Sequence, residues 1–417
     1  MNVVAFLNTL GLGGTEKAAC RWAAGLKARG LDVSVLTLKD GPRRAQLESH
    51  GVPVRVVEAN AAAIANTLRE LAPEIIHAHA PGHAHEGDVL GEALTLLPKK
   101  IPVVQTNIFG QLYNSKENNW TDFRLFISWT SCVQAARRVF RPLDENFFQR
   151  ASVAVYPLDP VEPCSPGECQ KFRRELGVRE DEVLFGRLSR PDPNKWTDLP
   201  LAAFRRALKQ QRNLKLLLRE PPAEVAEQLR RSPDAAHFIM LPATGSPEAL
   251  RLTLSALDVV LHTSRMGESF GYGIAEPMNL GRPVVTHSVP WLDQAQIELV
   301  SHGECGFVAS TPAAMARALL QLAADAALRE RMGRAAQTHI RRLADAEVST
   351  DRLERVLQSV LAGRDNPFAA ADLARARETA SYLDAHQLGH SFGEFFALGP
   401  AHLRVRIHQW RRRARTG

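Results

Sequence analysis

The sequence predicts two doubly wound α/β lobes in tandem, and three observations predict them. Short β-type apolar runs alternate with longer amphipathic helical runs through residues 1–160. A proline cluster then interrupts the alternation, which restarts and continues to about residue 362. A chain of 417 residues is also too long for one ordinary core, so two domains are the starting expectation.

Taken in order, strands are predicted at 3–7, 33–38, 54–57, 75–78, 103–106 and 125–128, with helices such as 17–29 and 61–71 between them. A further strand at 153–156 runs into Pro157, Pro160, Pro163 and Pro166. Proline discourages both helix and ladder, which places the lobe boundary there. The second series has strands at 183–186, 215–218, 238–241, 259–262 and 283–286. Its helices fall at 198–210, 223–231, 271–280 and 312–324, with further helix over 332–361. The expected domains are 1–160, 161–362 and a helical, basic C-terminal appendix over 363–417. In open parallel sheets, ligands bind beyond the carboxyl ends of the strands, so the cleft between the lobes is the expected site.

Composition narrows the function classes. With 45% hydrophobic and 23% charged residues the chain reads as soluble and globular, and no apolar run reaches the ~18 residues of a membrane span. The N-terminal run Met1-Asn2-Val3-Val4-Ala5-Phe6-Leu7 has no basic leader and reads as a first strand, not a signal peptide. Five scattered cysteines fit reduced thiols in the cytoplasm; the close pair Cys164 and Cys169 matches no common metal knuckle. Without secretion the sequon Asn119-Trp120-Thr121 carries no meaning. The net charge of +7 sits at one end: Arg404, Arg406, Arg411, Arg412, Arg413 and Arg415 are six of the last 17 residues, and removing them leaves +1. A nearly neutral body argues against nucleic acid as a partner.

Several segments carry chemistry. Gly11-Leu12-Gly13-Gly14-Thr15-Glu16 follows the first strand and opens a helix, so its backbone can approach a ligand and its amides favour an anion. A dinucleotide fingerprint would need glycine where Glu16 stands, although Asp40 after the second strand keeps a nicotinamide reading open. In Glu268-Ser269-Phe270-Gly271-Tyr272-Gly273-Ile274-Ala275-Glu276, two carboxylates bracket a strand-to-helix turn. A helix starting near Gly271 would aim amides at a diphosphate, with Glu276 on its second turn suited to the two hydroxyls of a ribose. The plain alternative is an acid stabilising its own helix dipole and a second, solvated one. Arg187, in Gly186-Arg187-Leu188-Ser189, and Lys195 are placed to meet a pyrophosphate, one by a fork of donors and one as a point charge; a solvated surface cation is the alternative for each. His77, His79, His83 and His85 invite a metal site, yet strand alternation gives only His77 and His79 a shared face. A polar cleft wall is preferred and no metal is assigned.

Together these segments resemble glycosyltransferase family 4, retaining enzymes of GT-B fold, in which two Rossmann-like domains face across a cleft. The likeness covers about residues 1–360, through Gly13-Gly14, Pro73-Glu74-Ile75-Ile76-His77-Ala78-His79, the Gly186–Lys195 region, the E-x7-E segment, Gly281-Arg282-Pro283-Val284-Val285, and Glu298 through Gly306. It implies transfer of a sugar from a nucleoside-diphosphate-sugar donor to a glycan, lipid-linked or small-molecule acceptor. The donor is then a substrate, and neither cofactor nor metal is expected. It further implies that Arg187 and Lys195 hold the diphosphate, Glu268 the sugar, the amides of Phe270 and Gly271 the distal phosphate, and Glu276 the ribose. Gly13 and Gly14 would approach from the other lobe, His79 would line the acceptor side, and Glu298 would take a cleft position.

Departures are visible. Asn107 stands near the place where the family usually has Thr-x-His. The Arg187–Lys195 loop is lengthened by Arg190-Pro191-Asp192-Pro193-Asn194, and Arg219-Glu220-Pro221 replaces a glycine-rich turn. Nucleotide-sugar epimerase, phosphorylase and a non-catalytic scaffold of the same fold stay open as alternatives. In the appendix, Leu403, Ile407 and Trp410 fall at helical spacing among arginines. That suits either a stripe packed on the enzyme body, which is preferred, or a helix on the anionic inner membrane face.

Overall fold

A computed structural model describes residues 1–80, 88–110, 112, 120–138, 141–192, 195–289 and 292–388. The segment 403–415 and the histidines at 83 and 85 lie outside the described residues. Two parallel sheets form the frame. The first holds β1 (Asn2–Leu7), β2 (Asp32–Thr37), β3 (Val54–Val56), β4 (Ile75–Ala80), β5 (Val103–Asn107), β6 (Phe123–Phe126) and β7 (Ala151–Val153). Its spatial order is β3-β2-β1-β4-β5-β6-β7, with every pair parallel. Such an order reverses between β1 and β4, the switch point of a doubly wound fold.

The sheet is buried on both faces because consecutive side chains of each strand enter different cores. Val3, Ala5 and Leu7 pack with Trp22 and Leu26 of the helix Gly14–Ala28. Val4 and Phe6 pack with Ile64 and Leu68 of the helix Ala61–Leu71. This explains the unbroken apolar reading of the strand, which one-sided burial would have made alternate.

The second sheet is built the same way from β8 (Val183–Leu188), β9 (Leu214–Arg219), β10 (Phe238–Leu241), β11 (Val259–Leu261), β13 (Val284–Thr286) and β15 (Gly306–Val308), in the order β10-β9-β8-β11-β13-β15. A separate parallel pair, β12 (Gly267–Glu268) and β14 (Asp293–Gln294), stands beyond it. Gly267 is required there: its φ is +75°, and a Cβ would run into the Asp293 carbonyl of the paired strand.

Two crossings join the lobes and bond to each other. At the first, in the expected proline cluster, Leu158 N–H donates to the Ala344 carbonyl at 2.8 Å. At the second the chain returns: the helix Ala346–Leu361 packs on Gly14–Ala28, with Trp22 Nε1 donating to Ser349 Oγ at 3.0 Å. The helix Ala369–Leu388 then docks beside β7. There the buried Asp372 accepts from Ser152 Oγ at 2.7 Å and pairs with Arg352, and Asn366 Nδ2 donates to the Ala151 carbonyl at 2.8 Å. Residues 345–388 therefore pack with the first lobe although they follow the second in sequence.

Candidate active site

Arg187 lies next to last in β8 and is 1% exposed. Nη1 donates to Thr263 Oγ1 at 2.6 Å, Nη2 donates to the Lys195 carbonyl at 3.0 Å, and the guanidinium sits 4.3 Å from the centroid of Trp196. Burial pulls its pKa down to about 10, against an upward pull from Glu268, and Nε has no partner. A cation this dry is held ready for an anion, since burying charge without a counter-ion is costly.

Lys195 Nζ reaches Glu268 Oε1 at 2.7 Å, and His262 Nε2 meets the same oxygen at 3.1 Å. Burial pushes the Glu268 carboxyl up, but His262 and Lys195 outweigh it and hold it at about 2. The carboxylate is thus ionised at neutral pH and can only accept hydrogen bonds. Three residues on, Gly271 takes φ +102° as the cap of the helix Tyr272–Asn279. Its left-handed turn ends the Glu268 segment and starts a helix whose first amides have no intrahelical acceptor.

The first lobe meets this segment directly. Gly14, after β1, packs against the Tyr272 ring, where an added Cβ would lie 3.2 Å from the ring edge. Lys17 pairs with Glu276 and lies 5.2 Å from the Tyr272 centroid. Tyr272 Oη donates to the Pro157 carbonyl at 2.9 Å, tying the segment to the first crossing. Ser128 Oγ, beyond β6, donates to the Ser269 carbonyl at 2.7 Å. Glu298 accepts the N–H groups of Trp129 and Thr130 at 3.3 and 3.0 Å, at the start of the helix Trp129–Arg138. Burial raises the Glu298 pKa, and the two amides pull it back.

His79 and Asn107 lie at the carboxyl ends of neighbouring strands, where His79 pairs with Thr106 and Ala80 with Asn107. Both are buried. The His79 ring lies 4.4 Å from His77 and 5.9 Å from Trp22, and neither of its nitrogens has a partner. Burial lowers the His77 pKa to about 3 and, with His77 adding to it, that of His79 well below the usual value. Among the described residues no group of three or more His, Cys, Asp or Glu is placed to hold a metal.

The structure thus joins Arg187, Lys195 and Glu268 in one cluster, with Phe270, Gly271 and Glu276 on the adjoining turn and Gly13-Gly14 across from it. His79 and Asn107 sit behind the first lobe's strand ends, and Glu298 holds a helix start. Sequence reasoning missed His262, Thr263, Trp196, Lys17 and Tyr272. His262 and Thr263 could have been found, because they directly follow β11 at its carboxyl end, where ligands gather.

Two family models match this chain: glycosyl transferase 4-like domain over residues 13–185, and glycosyl transferases group 1 over residues 169–339. A D-inositol 3-phosphate glycosyltransferase of Kribbella flavida is 30% identical over 237 residues, 50% of this chain and 53% of the relative, so the match spans about half the relative's length. Among solved structures, HepE of Anabaena in complex with UDP and glucose is 20% identical with a TM-score of 0.71, covering 86% of this chain and 100% of that one. A glycosyltransferase of Rickettsia africae is 13% identical with a TM-score of 0.71, covering 86% and 98%. Both likenesses are of fold. With one family model matching each lobe and both sheets in the expected arrangement, the chain belongs to the family 4-like glycosyltransferases of GT-B fold.

Proposed function

We propose that this chain moves a sugar from a nucleoside-diphosphate-sugar donor to an acceptor held by the first lobe, with retention of configuration. The observation that carries the reading is the buried Arg187–Lys195–Glu268 cluster beside the start of the helix Tyr272–Asn279. Breaking the bond between the anomeric carbon and the diphosphate oxygen leaves the electron pair, and added negative charge, on the diphosphate. Fixed cations and helix-start amides meet that charge more strongly in the transition state than in the ground state. Arg187 and Lys195 grip the diphosphate, the amides of Phe270 and Gly271 the distal phosphate, Glu268 the sugar hydroxyls and Glu276 the ribose. The acceptor hydroxyl attacks from the leaving-group face and gives its proton to the departing phosphate. The cations already in place carry the leaving-group charge, so the reading calls for no metal.

On the other side, Gly13 and Gly14 let backbone approach the donor, and His79 and Asn107 belong to the acceptor wall. Glu298 acts through the helix it holds. Five cysteines without a disulfide support a reducing, cytoplasmic compartment, and no described helix is long and apolar enough to cross a membrane.

A thermal-shift screen with uridine, guanosine and adenosine diphosphates tests the reading. At least one should raise the melting temperature, and the shift should vanish in Glu276→Ala and shrink in Arg187→Ala. A flat response to all three would overturn it.

A further inference from the structure

Gln296 lies on the short helix Ala295–Leu299 that follows β14, and β14 pairs with β12 so that Gln294 lies opposite Glu268. The Gln296 side chain accepts the Glu268 N–H on Oε1 at 3.0 Å. A backbone N–H can only donate, so this contact fixes which end of the amide is oxygen. The other end, Nε2, is buried without a partner, in a residue 1% exposed. Leaving that end of the amide unmatched is costly, because a buried N–H without an acceptor keeps its full desolvation penalty. Each such group in a native structure calls for an explanation, and this one belongs to the side chain that holds the Glu268 amide.

The carboxylate beside it is half engaged. Oε1 of Glu268 takes both Lys195 and His262, which leaves Oε2 to accept. An amide donor on the helix Ala295–Leu299 and a carboxylate acceptor at the Glu268 turn, joined through the Glu268 N–H, are complementary to two neighbouring hydroxyls, one offering its oxygen and the other its proton. We propose that Gln296 selects the donor's sugar, its Nε2 donating to one hydroxyl while Glu268 accepts from the adjacent one. The substrate class is then a hexose with two free vicinal hydroxyls facing this turn. The inference rests on the nucleotide-sugar reading and adds a specificity-determining residue to it.

Isothermal titration of the full chain separates the two. Uridine, guanosine and adenosine diphosphates are titrated first, then the glucose, galactose and mannose conjugates of whichever binds. The wild type should rank the three conjugates. In Gln296→Leu the spread between them should shrink about tenfold, while the bare diphosphate stays within about twofold. A site built to hydrogen-bond a hydroxyl discriminates strongly only while its polar groups are present. Gln296→Met repeats the test if the leucine variant misfolds. Equal weakening of diphosphate and conjugates overturns the inference and makes Gln296 a support of the Glu268 turn. An unchanged ranking overturns it too, as does a wild type that ranks none of the conjugates. Failure of the wild type to bind any diphosphate overturns the nucleotide-sugar reading itself, and this inference with it.

Discussion

Where the second lobe gathers Arg187, Lys195, Glu268 and His262 into one hydrogen-bonded, largely buried cluster, the first lobe offers Gly13, Gly14 and the packed rings of Trp22, His77 and His79. Burial acts on Glu268 and on the first lobe's histidines with opposite results. In the second lobe, His262 and Lys195 hold the Glu268 pKa at about 2 despite desolvation, so it is ionised at neutral pH. In the first, no counter-charge offsets desolvation, and His77 and His79 are held neutral. The difference is a division of labour: charge is gripped on one side, and the Trp22, His77 and His79 wall on the other is dry and neutral. That suits transfer between an anionic leaving group and an uncharged hydroxyl.

Among the buried cations, removing Arg187 should have the largest effect. Arg187→Ala deletes a buried cation and its hydrogen bonds to Thr263 Oγ1 and the Lys195 carbonyl. Nucleoside diphosphate affinity should fall about a hundredfold or more, on the scale of losing one charge-stabilising group from a dry site. Asn107→Ala in the first lobe should leave it within about twofold. Equal losses in calorimetric titration would erase the distinction between the lobes.

Next in size is the joint. In Glu298→Ala the helix Trp129–Arg138 loses the carboxylate that accepts its first amides across the lobes. Hydrogen bonds to a charged group, partly buried at a helix start, contribute about 2 kcal/mol, and urea denaturation should show a loss of that order. An unchanged midpoint would mean that this carboxylate adds nothing to the joint.

Acid should act on His77 and on Glu268 in different windows. His77 has a folded pKa of about 3 against an ordinary 6.5, so the unfolded chain takes up protons first as the pH falls. Its contribution is fully present above pH 6.5 and is lost progressively down to about pH 3. One unit below 6.5 the loss is about 1.4 kcal/mol for this one ring. Glu268 is a depressed acid, so its share is present above about 4.5 and lost between there and about 2. Stability measured between pH 6.5 and 5 should therefore fall in the wild type and fall less in His77→Gln. Equal slopes would place the protonation elsewhere.

Legibility in the sequence followed distance along the chain. β1, β2 and β4 were readable because each apolar run is local and buried on both faces. The helices 312–324 and 61–71 were readable to the residue. β6 lies two residues earlier than expected because Ser128 is needed in the turn into Trp129–Arg138. Val155 and Tyr156, expected in a strand, pack in the interlobe core instead. The return of Ala346–Leu361 to the first lobe was not readable, since an amphipathic pattern shows that a face is buried but not against what. The same holds for the site. Arg187, Lys195 and Glu268 stand in compact motifs, whereas Lys17 meets Glu276 across 259 positions, and only the approach of the lobes creates that pair.

That pair sets the smallest prediction. Lys17 occupies the carboxylate assigned to the ribose, so a donor has to share or displace it. Both side chains keep 20–25% of their exposure, and water screens the attraction to a few tenths of a kcal/mol. Lys17→Met should therefore tighten nucleoside diphosphate binding only about twofold at low salt. The gain should disappear at about 0.5 M salt, where charges more than a few ångströms apart are screened. Weaker binding in Lys17→Met at every salt concentration would instead make Lys17 part of the grip, and the first lobe would no longer be the neutral partner of the pair.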